Sequence, residues 1–394
     1  MQGDQSQRYE VVIIGAGPAG LASSYHLTRR GIRHVVLERG RVGDTWANLY
    51  DSLRLHTGRH LSALPGLRFP RGTPMFVTRA EFVEYLRRYT TRFSLPISEA
   101  SPVSSAWRED GRWLILTSSG RRFESNVLIV ATGIVSSPRI PSLAGEQRFR
   151  GEILHSVAYR SPERFRGMRV LVVGVGNSGA EIASELGRNG VDVSISVRSG
   201  ANVVPLQILG IPIQYLGYLV RKLPRSVQLP IVNRISAITE RRRGVSPIPK
   251  SSIGPLDAIP VIGFHLVDAI SEGTVKLRGG IDTLSEASVR FADGSEEPFD
   301  VILLATGFRP ALELFRDPIA VDERGFAKRS DRVTSATEPD LFFVGHNYDA
   351  NGGLLNIRID SQLVAQRVEL RLAAAKRSGR SGETHATSSS AVDP

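Results

Sequence analysis

The amino-acid sequence predicts an α/β fold made of two similar units, one inserted in the other. An apolar strand followed by a glycine-rich turn and a helix start occurs twice, at residues 11–30 and 170–188. Each of these units is followed by an apolar strand that ends in Ala-Thr-Gly, at 127–133 and 301–307. Because strands that alternate with helices are typical of parallel sheets, we expect two Rossmann-like dinucleotide-binding domains.

The spacing of the repeats predicts the domain boundaries. The first unit would occupy residues 1–160 and be completed by 306–375, and the second would fill 161–305. Within the second unit, residues 201–250 form an apolar stretch broken by proline and glycine, which predicts a small helical insert. Residues 376–394 are rich in Ser, Thr, Ala and Gly without an apolar period, which predicts a disordered tail.

Short apolar runs bounded by turn residues predict the strands. The strands expected in the two units cover residues 11–14, 34–37, 170–173, 193–197 and 301–304. Residues 107–117 and 121–130 are expected to pair as a hairpin about a glycine-containing turn, beside the first unit.

Composition excludes several classes of protein. The 394 residues are 41% hydrophobic and 23% charged, which is enough apolar material for sizeable cores. The chain has no cysteine, so disulfides, cysteine-ligated zinc, iron–sulfur clusters and thiol catalysis are excluded, and no metal site is predicted. Residues 1–10 lack the apolar stretch of a secretory signal, so a cytoplasmic location is expected.

The net charge of +11 raises the question of an anionic partner. Nucleic-acid binding is not expected, because the basic residues are scattered and no recognisable module accompanies them. The insert combines apolar and basic residues over 203–243, which leaves two alternatives open: a lid over a substrate pocket, or contact with an anionic membrane surface. Its glycines and prolines argue against a membrane-spanning helix. The sequence does not define the oligomeric state, and a homodimer is compatible with it.

The first glycine-rich turn, residues 15–20 (GAGPAG), has the spacing of a dinucleotide-binding motif. Gly15 permits the tight turn, Gly17 lets the backbone approach a pyrophosphate, and Gly20 lets the helix pack closely on the strand. The phosphates would then lie at the positive N-terminus of the helix. The next strand ends in Glu38, whose carboxylate can accept hydrogen bonds from the ribose hydroxyls of an adenosine.

The second motif, residues 174–179 (GVGNSG), repeats the glycines but not the carboxylate. Its following strand ends near Arg198, whose guanidinium can bind a 2′-phosphate through two hydrogen bonds, so NADPH is expected rather than NADH. The alternative for Arg198 is a solvated surface residue. An acidic first site and a basic second site together predict FAD and NADPH, with hydride transfer between them. Without cysteine, the electrons must pass to dioxygen, a quinone, another protein or an organic acceptor.

Residues 149–159 (FRGEILHSVAY) match the FxGxxxHxxxY fingerprint of the flavin-containing monooxygenases, fifteen residues before Gly174. The chain therefore resembles this family of class B flavoprotein monooxygenases, and in particular the plant YUCCA-type indole-3-pyruvate monooxygenases and their bacterial relatives. The similar segments span roughly residues 9–370. Besides the fingerprint, they are 43–46, 50–56, 174–183, 259–261, 305–308, 341–345 and 352–355.

The resemblance implies that NADPH reduces FAD and that O2 then adds to give a C4a-(hydro)peroxyflavin. One oxygen atom is then inserted into a small organic substrate, at a soft nitrogen or sulfur or at a ketone or keto acid. His56 and Thr57 stand where many members of the family have an asparagine, which favours the keto-acid or Baeyer–Villiger-like outcome. The alternatives are an FAD-dependent NADPH oxidase or reductase without oxygen insertion, and a non-enzymatic redox sensor that binds both cofactors.

The resemblance also implies the site residues. His56 and Asn177 are the candidate catalytic residues, and His155 is expected in the linker between the domains. The alternatives are a packed loop residue for His56, a purely hydrogen-bonding linker for His155, and an ordinary core residue for Trp46. The residues expected to bind the cofactors are Gly15, Gly17, Pro18, Ala19, Gly20, Glu38, Arg39, Thr45, Trp46, His56, Val103, Ala131, Thr132, Gly133, His155, Gly174, Gly176, Asn177, Ser178, Gly179, Arg198, Ala305, Thr306, Gly307, Gly345 and Leu354.

Overall fold

The computed structural model describes residues 6–257, 259–347, 349 and 352–386. The first unit contains most of one sheet and the helices that cover it. Its elements are β1 (Gln7–Ile14), α1 (Pro18–Arg29), β2 (His34–Leu37), α2 (Asp44–Ala47), α3 (Arg59–Ser62), α4 (Arg79–Phe93), β3 (Ile97–Ser98), β4 (Val103–Glu109), β5 (Arg112–Thr117), β6 (Arg122–Val130) and β7 (Ser137–Pro138).

The second unit follows, with the insert near its middle. Its elements are β8 (Glu152–His155), β9 (Arg169–Val173), α5 (Asn177–Arg188), β10 (Asp192–Ser196), β11 (Val203–Val204), β12 (Gln207–Ile208), β13 (Ile211–Pro212), α6 (Ile213–Val220), α7 (Arg225–Arg243), β14 (Val261–Ile262), α8 (His265–Ser271), β15 (Val275–Arg278), β16 (Ile281–Leu284), β17 (Ser288–Phe291), β18 (Glu296–Pro298) and β19 (Val301–Leu304). The chain then returns to the first unit through β20 (Phe308–Arg309), β21 (Leu341–Phe343) and α9 (Gly353–Ala386).

The first sheet has the strand order β3-β2-β1-β6-β5-β4. β1 lies in parallel register between β2 and β6, with Val11 opposite both His34 and Val127. β6 pairs in antiparallel register with β5 near its start and in parallel register with β21 near its end. Because these central strands are apolar over consecutive residues, they are buried on both faces, as expected for a sheet covered on each side.

The hairpin predicted for residues 107–117 and 121–130 is present as the antiparallel pair β5 and β6, but its first strand is shorter than expected. Asp110 and Gly111 both have positive φ, +47° and +75°, and form a tight turn that divides the first segment between β4 and β5. β6 also continues past the hairpin into the centre of the parallel sheet, because its second half is apolar and fully buried. The hairpin is therefore part of the first sheet rather than a layer beside it.

The second unit has a parallel five-stranded sheet with the order β15-β10-β9-β19-β8. Its edge strand β8 was expected within the first unit, which was predicted to reach residue 160. Since β8 pairs with β19, the chain enters the second sheet earlier than that boundary. The predicted helical insert is present as α6 and α7, preceded by the short hairpin of β12 and β13.

The last segment completes the first unit. β21 joins the sheet beside β6, and α9 packs against α1. The tail predicted from residue 376 begins inside α9, which continues to Ala386, because extending an existing helix requires no new nucleation. Residues 387–394 of the predicted tail lie outside the described residues. Within the described part of the chain, no helix combines the length and apolar character needed to cross a membrane.

Candidate cofactor and substrate site

The first glycine motif forms a turn that only glycine can complete. Gly15 has φ +102°, and a Cβ atom there would lie 2.6 Å from the Ala131 carbonyl oxygen. A Cβ atom on Gly20 would lie 1.8 Å from the Gly15 carbonyl oxygen. Gly17 differs, because its added Cβ would meet no atom within 4 Å. Packing thus requires the first and third glycines, whereas the second faces open space at the N-terminus of α1.

The second motif has the same geometry. Gly174 has φ +106°, and its Cβ would lie 2.7 Å from the Ala305 carbonyl oxygen. A Cβ on Gly179 would lie 2.1 Å from the Gly174 carbonyl oxygen, and one on Gly176 would again meet nothing within 4 Å. Each unit therefore has an open cradle in front of a helix N-terminus, a position that favours phosphate.

The two Ala-Thr-Gly turns lie beside these cradles. The Ala131 N–H donates a hydrogen bond to the Ile14 carbonyl at 2.9 Å, and the Ala305 N–H donates to the Val173 carbonyl at 2.8 Å. The glycine of each turn has positive φ, +81° and +83°. The internal repeat seen in the sequence thus extends to equivalent backbone contacts in both units.

Glu38 is buried at the end of β2, next to the first cradle. Its two carboxylate oxygens accept hydrogen bonds from the N–H groups of Ala16, at 2.7 Å, and Gly40, at 3.1 Å. The Ser101 N–H donates to the Glu38 carbonyl at 2.7 Å, which brings the start of β4 and Val103 to the same place. The predicted adenosine-binding residues are therefore neighbours.

The other residues predicted for the first site lie partly at the surface and partly in the core. The Arg39 guanidinium lies 3.5 Å from the Thr45 hydroxyl, at the surface. The Trp46 ring packs edge-to-face on Phe82, with centroids 4.6 Å apart, so one side of Trp46 is a core contact. From the returning chain, a Cβ on Gly345 would approach the Ala19 Cβ at 3.1 Å, which places β21 against the start of α1. Leu354 is buried in the first turn of α9.

Arg198 lies two residues beyond the end of β10 and is exposed. None of the ion pairs among the described residues involves Arg198. A guanidinium without a carboxylate partner keeps its donors available for a phosphate.

His155 ties the second unit to the linker. Its Nε2–H donates to the Gly307 carbonyl at 3.0 Å, while its Nδ1 accepts from the Val157 N–H at 3.3 Å. These two partners define the tautomer of a neutral ring, and burial lowers the pKa of His155. The Thr306 hydroxyl donates to the Arg139 carbonyl in the same linker. The contacts of His155 are those of a hydrogen-bonding linker residue.

Asn177 was expected within the glycine-rich turn and is the first residue of α5, with its side chain directed to the strand β14. Its Nδ2 donates to the Pro260 carbonyl at 3.1 Å, and its Oδ1 accepts from the Ile262 N–H at 2.8 Å. With both ends of the amide engaged, Asn177 positions β14. Ser178 and Gly179 follow it in the first turn of the helix.

A cavity of about 270 Å³ lies between the two units. The first unit contributes His56, Met75 and Phe76 to its wall, and the second contributes Glu181, Leu206 and His265. Its lining is mainly apolar, with a few polar groups, as in many small-molecule sites. In the wall of this cavity, the predicted catalytic residue His56 of the first unit lies beside residues of the second unit.

Two residues in the wall of this cavity, Glu181 and His265, were not predicted from the sequence. The carboxylate of Glu181 accepts hydrogen bonds from the Tyr50 hydroxyl and from His56 Nε2, both in the first unit. Burial raises the pKa of Glu181, but the hydrogen bonds and charge of these partners outweigh it, so the pKa is lowered. The Nε2 atom of His265 is buried and has no hydrogen-bond partner among the described residues. The available sequence signal was a pair of carboxylates, Glu181 and Glu185, one turn apart in the mostly buried helix α5.

Comparison with known proteins agrees with this geometry. A family model described as pyridine nucleotide-disulphide oxidoreductase matches residues 12–265. The chain is 35% identical over 321 residues to the indole-3-pyruvate monooxygenase YUCCA8 of Oryza sativa subsp. indica, covering 76% of this chain and 75% of that protein. It is 31% identical over 388 residues to YUCCA4 of Oryza sativa subsp. japonica, covering 92% and 87%.

A solved structure gives the same fold. The flavin-containing monooxygenase from Stenotrophomonas maltophilia aligns with a TM-score of 0.73 and 23% identity, over 92% of this chain and 99% of that one. The two Rossmann-like units predicted from the sequence are thus confirmed. Together with the plant relatives, this confirms the family inferred from the fingerprint. The chain belongs to the pyridine nucleotide-disulphide oxidoreductase family and, within it, to the flavin-dependent monooxygenases of the YUCCA type.

Proposed function

We propose that this protein is an NADPH- and FAD-dependent monooxygenase that transfers one oxygen atom from O2 to a small organic molecule. The observation that supports this most is the pair of open glycine cradles, one beside Glu38 and one on the side of Arg198, with a cavity between the two units. A protein with one nucleotide would need only one cradle.

The first cradle suits FAD. The open space at Gly17 leaves room for a pyrophosphate at the N-terminus of α1, and Glu38 is held in place by two backbone amides beside it. We propose that Glu38 accepts hydrogen bonds from the ribose hydroxyls of FAD. Gly345 and Leu354 would then line the part of the site that holds the flavin ring. FAD supplies the electron transfer and the reaction with dioxygen, so the chain's own task is to orient the reactants and exclude water.

The second cradle suits NADPH. Gly176 leaves the same open space, and Arg198 carries a guanidinium without a carboxylate partner in the described chain. We propose that Arg198 binds the 2′-phosphate and that the main chain of Asn177 and Ser178 faces the pyrophosphate. The side chain of Asn177 holds β14, and with it the cavity wall at Ile262.

The absence of cysteine limits the alternatives. The family model is named for disulphide oxidoreductases, whose chemistry requires a thiol, and this chain has none. An oxidase passes its electrons to O2 and needs no organic substrate beside the flavin, whereas a quinone reductase, like a monooxygenase, must bind one there. The cavity with His56 and His265 in its wall favours a monooxygenase over an oxidase, because it offers a site for an organic substrate at the junction of the two units.

The part of the insert around α6 contributes residues to the proposed substrate site. Leu206 lines the cavity, and the Tyr215 hydroxyl contacts His60 at 2.9 Å. Gln214 and Val220 are buried. We therefore propose that this part is a lid. Helix α7 differs, because it buries none of its residues and ends in the basic run Arg241–Arg243. If the insert contacts an anionic membrane surface, we propose that α7 makes that contact. For the protein as a whole we propose a cytoplasmic location.

The test is oxygen incorporation. Purified protein reconstituted with FAD would be given NADPH, ¹⁸O2 and a panel of keto acids, ketones, amines and sulfides, with products followed by mass spectrometry. We expect ¹⁸O in one product and NADPH consumption stimulated by that substrate. NADPH consumption with stoichiometric hydrogen peroxide, or with quinone reduction alone, would instead identify an oxidase or reductase. A protein that binds both cofactors without turnover would be a sensor.

A further inference from the structure

One face of helix α5 touches three different segments of the protein at intervals of one turn. Asn177 holds the cavity wall through Pro260 and Ile262, as described above. Glu181 follows four residues later, and Glu185 four residues after that. Because residues four apart lie on the same side of a helix, these side chains form one stripe.

The two carboxylates of the stripe have similar partners but different surroundings. Glu181 accepts from Tyr50 and His56, while Glu185 accepts from the Tyr159 hydroxyl at 2.8 Å. Tyr50 and Tyr159 are both buried, at 5% and 0% exposure. Glu181 lines the cavity, whereas Glu185 does not. Glu181 can therefore be tested by substitution, and Glu185 on the same helix serves as the matched control.

Glu181 also connects the two units. It is a residue of α5 in the second unit, and both of its hydrogen-bond donors come from residues 50–56 of the first. Its side chain is one fifth exposed, as is that of His56, so the pair is partly shielded from water. Charged hydrogen bonds in such a setting are stronger than neutral ones and define geometry.

We infer that Glu181 is a positioning residue, which holds Tyr50 and His56 of the first unit on the wall of the substrate cavity and so joins that wall to the nicotinamide-binding helix. The inference rests on the proposed function. Without the Glu181 carboxylate, His56 would lose the acceptor that orients its ring. The position of the cavity wall would then no longer depend on whether a cofactor is bound at the N-terminus of α5.

The test compares Glu181→Gln with Glu185→Gln in the FAD-reconstituted protein. A glutamine replaces one of the two carboxylate oxygens with an NH2 group and removes the negative charge, so in the first variant Tyr50 and His56 no longer both donate to a charged acceptor. We expect the ratio of oxygenated product to NADPH consumed to fall about tenfold, the change that corresponds to loss of one charge-assisted hydrogen bond. The KM for NADPH should change little, and Glu185→Gln should retain the wild-type ratio.

A spectroscopic measurement makes the result independent of turnover. The ring ¹⁵N signals of His56, identified by their loss in His56→Gln, should shift in Glu181→Gln and stay in place in Glu185→Gln. If they do not shift, the contact is absent and the inference is wrong. If they shift but both glutamine variants have the same product ratio, Glu181 has only a structural role and the inference is also wrong.

Two further controls keep the outcome interpretable. If Glu181→Gln does not fold, Glu181→Asp retains the charge with a shorter side chain, and the same shift and loss of coupling are expected from it. If the wild-type protein incorporates no oxygen from ¹⁸O2, the proposed monooxygenase function fails. The His56 signals would still show whether Glu181 holds that ring, so the two failures are distinguishable.

Discussion

His155 and Gly307 are joined by a hydrogen bond of 3.0 Å from the imidazole Nε2 to the glycine carbonyl. Gly307 lies in the segment through which the chain returns to the first unit, and the following residue, Phe308, packs edge-on to the same imidazole at 4.9 Å. The fingerprint histidine is therefore attached to the returning linker rather than to the cavity.

Replacing His155 with alanine should loosen the linker without emptying the cofactor sites. Loss of the two bonds to Gly307 and Val157 should lower the free energy of unfolding by about 2 kcal/mol, since each hydrogen bond usually contributes about 1 kcal/mol. Urea unfolding of the purified variant measures this, and flavin absorbance checks that FAD is retained. A colourless but equally stable variant would show that His155 belongs to the flavin site instead.

Gly17→Ala and Gly176→Ala should have reciprocal effects on the two cofactors. Neither added methyl meets a protein atom within 4 Å, so both variants should fold with near wild-type melting temperatures. Each methyl would enter the space proposed for a pyrophosphate. We expect Gly17→Ala to lose FAD, and Gly176→Ala to keep FAD but bind NADPH weakly. Absorbance spectra and NADPH titration measure the two effects, and a fully yellow Gly17→Ala protein would contradict the placement of FAD.

Arg198→Ala should discriminate between the two nicotinamide cofactors. If Arg198 binds the 2′-phosphate, its removal should weaken NADPH binding by about 1–3 kcal/mol, which the higher KM for NADPH would reveal. NADH lacks that phosphate and serves as the internal control, with little change expected. The effect should also shrink at high salt, because Arg198 is exposed. Equal losses for both cofactors would remove Arg198 from the phosphate site.

His346 should make the protein sensitive to acid. It is 2% exposed, neither ring nitrogen has a partner among the described residues, and burial together with Arg329 lowers its pKa to about 3. Between pH 6.5 and 3 the unfolded state therefore binds a proton that the folded state does not. Stability should fall on acidification through this range, by up to about 1.4 kcal/mol per pH unit.

His346→Phe removes this titration and keeps an aromatic ring among Phe343 and Phe326. We expect its unfolding free energy, measured by urea at pH 7, 6 and 5, to decline less steeply than that of the wild type. His26, whose pKa burial lowers to about 4, would account for part of the remaining decline. Parallel curves for both proteins would show that His346 is not the source.

Local sequence patterns were sufficient for the two nucleotide-binding units. The glycines at 15, 20, 174 and 179 are required by the backbone, and their clashes are with neighbours only a few residues away or on the adjacent strand, whereas Gly17 and Gly176 keep the motif's spacing and face open space. The apolar runs of β1, β2 and β6 likewise specify buried parallel strands. Turn residues were harder to weigh, since Asp110 and Gly111 divided a segment expected to be one strand.

By itself, the sequence determined the α/β class, the paired cradles, the monooxygenase fingerprint and the exclusion of thiol chemistry, because each of these depends on residue identity and short spacing. The partners of the polar side chains, by contrast, depend on how distant segments pack in three dimensions. Tyr50 and Glu181 are 131 positions apart, and no periodicity relates them. Their contact exists because a loop of the first unit packs against helix α5 of the second, and such long-range packing leaves no local pattern in the chain.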